Sequence, residues 1–202
     1  MDPKRFVLAT RNPDKVREIQ GILEEEAWEL LSLLDFPQAG EVYENGKTFL
    51  DNALEKARAS YQWTGIPSLA DDSGLEVDYL GGAPGVRSSR FAGEGKDYRK
   101  NNAKLLGLLK DVPREKRTAR FRCIVALVDG EEERWVEGVC DGVVLEELCG
   151  DSGFGYDPVF FVPEKQKTFA EMTAEEKNAI SHRGIAFRKM AQVIRELEKI
   201  GA

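Results

Sequence analysis

Apolar positions recur along this chain at two periods, and the change from one to the other lays out its elements. Residues 5–9 (RFVLA) form a short apolar run that reads as a buried strand. Thr10, Arg11 and Asn12 then turn the chain into a segment where Val16, Ile19, Ile22 and Leu23 recur at helical spacing. Asn12 is a good N-cap and Pro13 suits the first helical position, because its missing N–H would have no partner there anyway. Residues 28–33 predict a second strand. A helix follows from a cap near Thr48, with Phe49, Ala53, Leu54 and Ala57 on its apolar face and Gly65 and Pro67 ending it.

Residues 97–109 predict a third helix through Leu105, Leu106, Leu108 and Leu109, closed by Pro113. The period then drops to two over residues 117–128, through Ala119, Phe121, Cys123, Val125 and Leu127. Gly130 turns this strand toward Trp135, Val136, Val139 and Cys140, so an antiparallel pair is expected and the sheet should be mixed. Thr173 and Glu176 match a capping box for a short helix. Ser181 caps a terminal helix through Phe187, Met190, Ile194 and Leu197. No repeat, low-complexity tract or linker interrupts residues 1–202, and two lobes around a cleft fit this pattern better than two independent domains.

Four stretches carry candidate chemistry. In SLADDSGLEVDYL (68–80) an apolar strand runs into adjacent carboxylates, Asp71 and Asp72, then continues through Leu75, Val77 and Tyr79. Acids at a strand end can hold a hard cation such as Mg2+, whereas the same Asp, Ser and Gly also make an ordinary turn. Glu44, ahead of the second helix, could bring a third carboxylate. Lys15 puts a cation at the positive end of the first helix, which makes a phosphate cradle if an anion sits there and a solvated lysine if none does. In GDSGFGYDPVFFVP (150–163), glycines either let backbone approach a ligand while Phe154 or Tyr156 stacks on it, or make a structural loop plugged by the two aromatics. His182 and Arg183 open the terminal helix, again basic groups at a helix N-terminus. His182 is the only histidine; a lone histidine is more often structural than catalytic, and it cannot by itself build a multi-histidine metal site. The glycine-rich stretch 81–95 has no phosphate-loop spacing and reads as a connector with a mobile edge.

Composition narrows the class. The 202 residues are 42% hydrophobic, enough for a substantial core, and the formal charge of −7 disfavours a general nucleic-acid-binding surface. Cys123, Cys140 and Cys149 are odd in number and form no Cys-x-x-Cys pair, so reduced thiols are expected in place of a disulfide framework or a zinc site. The N-terminus lacks an apolar run long enough for a signal peptide, and no stretch approaches a membrane span, so a cytoplasmic location is the default. Together the three carboxylates, the two basic helix starts and the Gly-aromatic loop describe a nucleotide carrying several phosphates and Mg2+.

TRNPDK (10–15), ENGKTFLDNA (44–53), ADDSGL (70–75), GGAPGVRSSRF (81–91), GFGYDP (153–158) and EKNAISHR (176–183) resemble, in order, the motifs of the inosine triphosphate pyrophosphatase family. The resemblance implies an α/β protein with a long, bent, mixed central β-sheet flanked by helices, two lobes around a substrate groove, and a homodimer. It implies cleavage of ITP, dITP and XTP between the α and β phosphates. Carried over by motif, Thr10, Arg11, Asn12, Pro13, Asp14 and Lys15 would cradle the triphosphate. Glu44 and Asp72 would hold Mg2+ with Asp71 beside them, Asp72 would activate water, and Ser73 would contact substrate. Phe154 would stack on the purine, and Gly155, Tyr156 and Asp157 would shape its pocket. Lys177 would bind phosphate, and His182 and Arg183 would meet the 6-oxo edge. The match departs at Asp151-Ser152, where the family more often shows Gly-Thr, which places an extra charge beside the base pocket. Rival readings are a Maf-like pyrophosphatase for modified or pyrimidine nucleotides and a Mg-nucleotide sensor without turnover.

Overall fold

A computed structural model describes residues 3–40, 42, 46–95, 97–130 and 132–200. Its centre is one seven-stranded sheet built from β1 (Lys4–Leu8), β2 (Trp28–Ser32), β3 (Ser68–Val77), β4 (Thr118–Asp129), β5 (Glu132–Val144), β6 (Phe160–Val162) and β7 (Lys167–Thr168). The strand order is β2-β1-β3-β4-β5-β6-β7. β1 pairs in parallel with β2 and β3, whereas every pairing from β3 onward is antiparallel. The mixed sheet expected from the β4–β5 alternation is therefore present, and β3 is the strand at which its direction rule changes.

Five helices cover the sheet: α1 (Pro13–Ile22), α2 (Phe49–Thr64), α3 (Tyr98–Leu108), α4 (Ala174–Ile180) and α5 (His182–Ile200). On one face Val16 and Ile19 of α1 and Phe187, Met190 and Ile194 of α5 pack over Phe6, Leu8, Leu69, Cys123, Val125 and Leu127. On the other, Phe49, Ala53 and Ala57 of α2 pack over Ala70, Ile124, Ala126 and Val128. Leu105 and Leu109 join Leu75, Val77, Phe121, Phe160 and Phe169 in a further cluster at the far end of β3. Each Leu or Phe wholly removed from water here contributes about 1.5–3 kcal/mol. Capping fixes where the helices begin. Asn12 accepts from Asp14 N, and Thr48 and Asp51 form a reciprocal capping box, while Gly65 ends α2 in the left-handed region at φ 66°.

Three expectations change. Asp71 and Asp72 lie in the middle of a ten-residue strand, neither at a strand end nor in a turn. β3 stops at Val77, so Tyr79 is exposed in a 3-10 turn and does not extend the alternation. Residues 85–90, read as a loose connector, form a 3-10 helix pinned by Asn101, whose Nδ2 donates to the carbonyls of Ser88 and Ser89.

Candidate active site

The site is organised by the alternation of β3. Successive side chains on a strand point to opposite faces, so adjacent acids cannot share one pocket wall. Asp72 faces α2, where Asn52 Nδ2 donates to its Oδ2 at 3.0 Å and Lys56 Nζ donates to its Oδ1 at 2.9 Å. Lys56 also donates to the Asp71 carbonyl at 2.8 Å. Asp71 faces α1 and α5 instead. Lys15 Nζ donates to both its oxygens, at 3.0 and 2.9 Å, Arg183 donates to Oδ2 through Nε and Nη2, and the Ser73 hydroxyl donates to the same oxygen. Burial acts to raise the Asp71 pKa, but the charges of Lys15, Arg183 and Lys56 outweigh it and hold the carboxyl far below the usual range. Asp71 is therefore an anchor for cations, reached from α1 and α5, whereas Asp72 is held from α2. Glu44 lies outside the described residues. Among those described, no group of three or more His, Cys, Asp or Glu gathers as a metal cluster.

Lys15 also has its explanation. The anion that relieves a cation at the start of α1 is Asp71, supplied from the neighbouring strand. Arg183 continues the chain of charges, because its Nη1 donates to Glu18 Oε2 at 2.7 Å. Lys177 in turn pairs with both Glu18 and Asp157. Burial acts to raise the Glu18 pKa, yet Arg183 and Lys177 bring it below normal. Asp157 shares Lys177 with Glu18 and faces that acid's charge, so burial prevails over Lys177 and the Phe154 N–H and its pKa rises. Burial opposes the charge on Lys177, but Asp157 and Glu18 keep its ammonium protonated.

The loop after β5 supplies the aromatic wall. Gly153 adopts φ 76°, and a Cβ there would meet Asp157 Oδ2 at 2.1 Å, so only glycine lets Asp157 fold back on the loop. Asp157 Oδ2 then accepts from Phe154 N at 2.8 Å, and Tyr156 anchors the loop by donating to the Ser88 carbonyl at 2.9 Å. His182 lies flat on Phe121, with ring centroids 4.5 Å apart and planes 9° from parallel. Burial and the nearby Arg183 and Lys177 hold its pKa well below 6.5, so the imidazole is neutral, and its buried Nδ1 has no partner.

One cavity collects Asn12, Lys15, Asp72, Ser73, Phe154, Gly155, Tyr156, Asp157, Lys177, His182 and Arg183. An adjoining groove, sharing Asn12 and Lys15, adds Thr10, Arg11, Pro13, Lys56 and Asp71. Within it Arg11 donates to the carbonyls of Phe36 and Ala39, at 3.3 and 2.6 Å, and shapes the groove wall. Asp14 is the exception in its motif: it pairs with Arg17 and faces a separate cleft. Asp151 is exposed and lines none of these cavities, so the added charge does not sit against the base pocket. Sequence reading missed Glu18, Asn52, Lys56 and Tyr98. Asn52 and Lys56 carried a signal, polar residues at i and i+4 inside the apolar stripe of α2. Glu18 carried none, since it looks like any surface acid until α5 is folded against α1.

The fold and site define an α/β protein with a deep charged cleft on both sides of the strand where parallel pairing gives way to antiparallel. The chain belongs to the Ham1 family, whose model matches residues 6–193. A dITP/XTP pyrophosphatase from Desulforamulus reducens is 53% identical over 194 residues, 96% of each chain. One from Bacillus subtilis is 47% identical over 95% of this chain and 97% of its own. The structure of a HAM1 protein from Coxiella burnetii superposes with a TM-score of 0.86 at 39% identity, covering 96% of this chain and 99% of that one. This membership does not favour the Maf-like reading.

Proposed function

We propose that the protein hydrolyses ITP, dITP and XTP to the nucleoside monophosphate and pyrophosphate, clearing non-standard purines from the nucleotide pool. The observation that carries this reading is the meeting, in one cavity and its adjoining groove, of an acid on β3, cations from α1, α4 and α5, and the Phe154 loop. Relatives named for dITP and XTP at about half identity over nearly the whole chain support it.

Asp72 is the group to accept the proton of the attacking water. Its two oxygens are already oriented by Lys56 and Asn52, so it enters the reaction without reorganisation. The buried carboxylate of Asp72 lines the cavity beside the phosphate groove and suits a hard, oxygen-seeking cation, so Asp72 with Glu44 would hold Mg2+. Bound there, Mg2+ would offset charge on the phosphates and make water more acidic. Thr10 to Pro13 and Lys15 line the groove that would hold the phosphates, Lys177 in the adjoining cavity would bind phosphate, and Ser73 would contact substrate. Phe154 stacks on the purine. His182 and Arg183 would meet the 6-oxo edge, and the 6-amino group of adenine would leave such donors unpaired, at about 1–3 kcal/mol per buried group.

A cytoplasmic setting suits both this substrate pool and three cysteines free of disulfides. No helix among the described residues is long and apolar enough to cross a membrane. The proposed whole is one domain of two lobes, working as a homodimer that would sediment at about twice 22.6 kDa; a species at that single mass would rule the dimer out.

Product analysis with Mg2+ tests the reaction. Pyrophosphate should appear from ITP and XTP with ATP nearly untouched, and Asp72→Asn should cut turnover by about a hundredfold or more. Orthophosphate as the product would reject the proposal. Nucleotide binding without turnover would favour a sensor.

A further inference from the structure

We infer that Tyr98 is the second wall of the base site: Tyr98 and Phe154 form an aromatic slot that closes on a planar heteroaromatic ring. On the reading proposed above that ring is a purine base, and this inference rests on and deepens that reading.

The two rings form a tilted pair with centroids 6.0 Å apart and planes inclined by 38°. Two stacking contacts of about 3.5 Å each span about 7 Å, so a widening of about 1 Å and a levelling of the planes admit one base. Tyr98 also borders both halves of the site, lining the cavity with Phe154 and the groove with Thr10 to Pro13. Its hydroxyl lies against the side chain of Asn12, the cap of α1. The ring thus stands where the base ends and the phosphates begin.

A surface tyrosine in a first helical turn would need no fixed distance from Phe154, yet this one has it. Asn102 Nδ2 donates to the Tyr98 carbonyl at 3.0 Å and to the Gly155 carbonyl at 2.8 Å, tying the start of α3 to the loop that carries Phe154. Asn102 is buried, and its Oδ1 has no partner. Asn102 thus couples the two walls at the cost of one unpaired amide oxygen, while its Nδ2 keeps the Gly155 carbonyl paired. Asp97 holds the same helix start by accepting from Lys100 N at 3.0 Å. Asn101, the next residue along, pins the 3-10 segment under the cavity. α3 therefore serves as a frame for the slot.

The test measures KM for ITP and inhibition constants for IMP and inorganic tripolyphosphate in Tyr98→Phe, Tyr98→Leu and Tyr98→Ala. The alanine variant should raise KM for ITP and the IMP constant by about tenfold or more, as loss of one base–aromatic stack does. The tripolyphosphate constant should stay within about twofold and the phenylalanine variant near wild type, because the ring face, not the hydroxyl, holds the base. Leucine keeps the bulk without the aromatic face and should resemble alanine, which covers the case in which Tyr98→Ala does not fold. Unchanged IMP inhibition in the alanine or leucine variant, or equal weakening of tripolyphosphate and IMP, would overturn the slot. Calorimetric IMP binding separates the two claims. If wild-type protein binds IMP but does not split ITP, the reaction fails while the variants still decide the slot; if it does neither, both fall.

Discussion

At the scale of single residues, the site shows how one sheet alternation assigns two neighbouring acids to different work. Asp71 is surrounded by Lys15, Arg183 and Ser73, and Asp72 by Lys56 and Asn52. The residue types were legible in the sequence, but their division was not, because it depends on which helix covers which face of β3. His182 gives a sharper consequence. Its folded pKa lies well below 6.5, owing to burial and to Arg183 and Lys177, so below pH 6.5 the unfolded chain binds a proton that the folded one does not. Its neutral burial therefore stabilises the fold fully above pH 6.5, and this contribution is lost as pH falls, by up to about 1.4 kcal/mol per unit. Urea titrations at pH 7 and pH 5.5 should show this loss in the wild type and a reduced one in His182→Phe. An equal loss in both would mean that His182 does not set the acid sensitivity.

At the scale of elements, the helices were legible because their signals are local. Asn12, Thr48, Thr173 and Ser181 all cap where their sequence context predicts, since capping uses only the backbone groups within one turn. The segment from Gly81 to Gly95 was not legible, since what orders it is Asn101 on α3 and the approach of β3. That approach explains Gly74, which is not in a turn at all. A Cβ at Gly74 would meet the Gly85 carbonyl oxygen at 2.3 Å, Ser88 Oγ at 2.7 Å and Phe49 at 2.8 Å. Ser88 Oγ also bonds both Leu75 N and the Gly85 carbonyl, so it cannot withdraw freely. Gly74→Ala should therefore destabilise by about 1–3 kcal/mol as an overpacking change and displace the wall formed by Val86, Ser88 and Ser89. Thermal unfolding and KM measured together decide it: a wild-type Tm with wild-type KM would show that the 3-10 segment is free to move away.

At the scale of the whole molecule, the described charges around the site come close to cancelling. Lys15, Lys56, Lys177 and Arg183 face Asp71, Asp72, Glu18 and Asp157, and the ion pairs run from β3 through α1 and α5 to the Phe154 loop. Ion pairs buried to this degree add little net stability over apolar packing, but removing any single partner leaves an uncompensated charge. The web therefore holds six parts of the chain in register, β3, α1, α2, α4, α5 and the Phe154 loop, and it leaves little net positive charge for a polyanion. A triphosphate entering such a cleft needs a cation of its own, which ties binding to a divalent metal more strictly than a frankly basic pocket would. In thermal unfolding, ITP in a form that resists cleavage between the α and β phosphates, with Mg2+ and at about 100 times its Kd, should stabilise by about 2.7 kcal/mol. For a chain of this length that raises Tm by roughly 5–10 °C. Without a divalent cation the same concentration of ITP should raise Tm far less, and IMP, whose base fills the slot with little phosphate to neutralise, should depend on Mg2+ only weakly. Equal stabilisation by ITP with and without Mg2+ would mean that the lysines and Arg183 leave their carboxylates to meet the phosphates themselves, and the neutral web would then be a resting arrangement that the substrate dismantles.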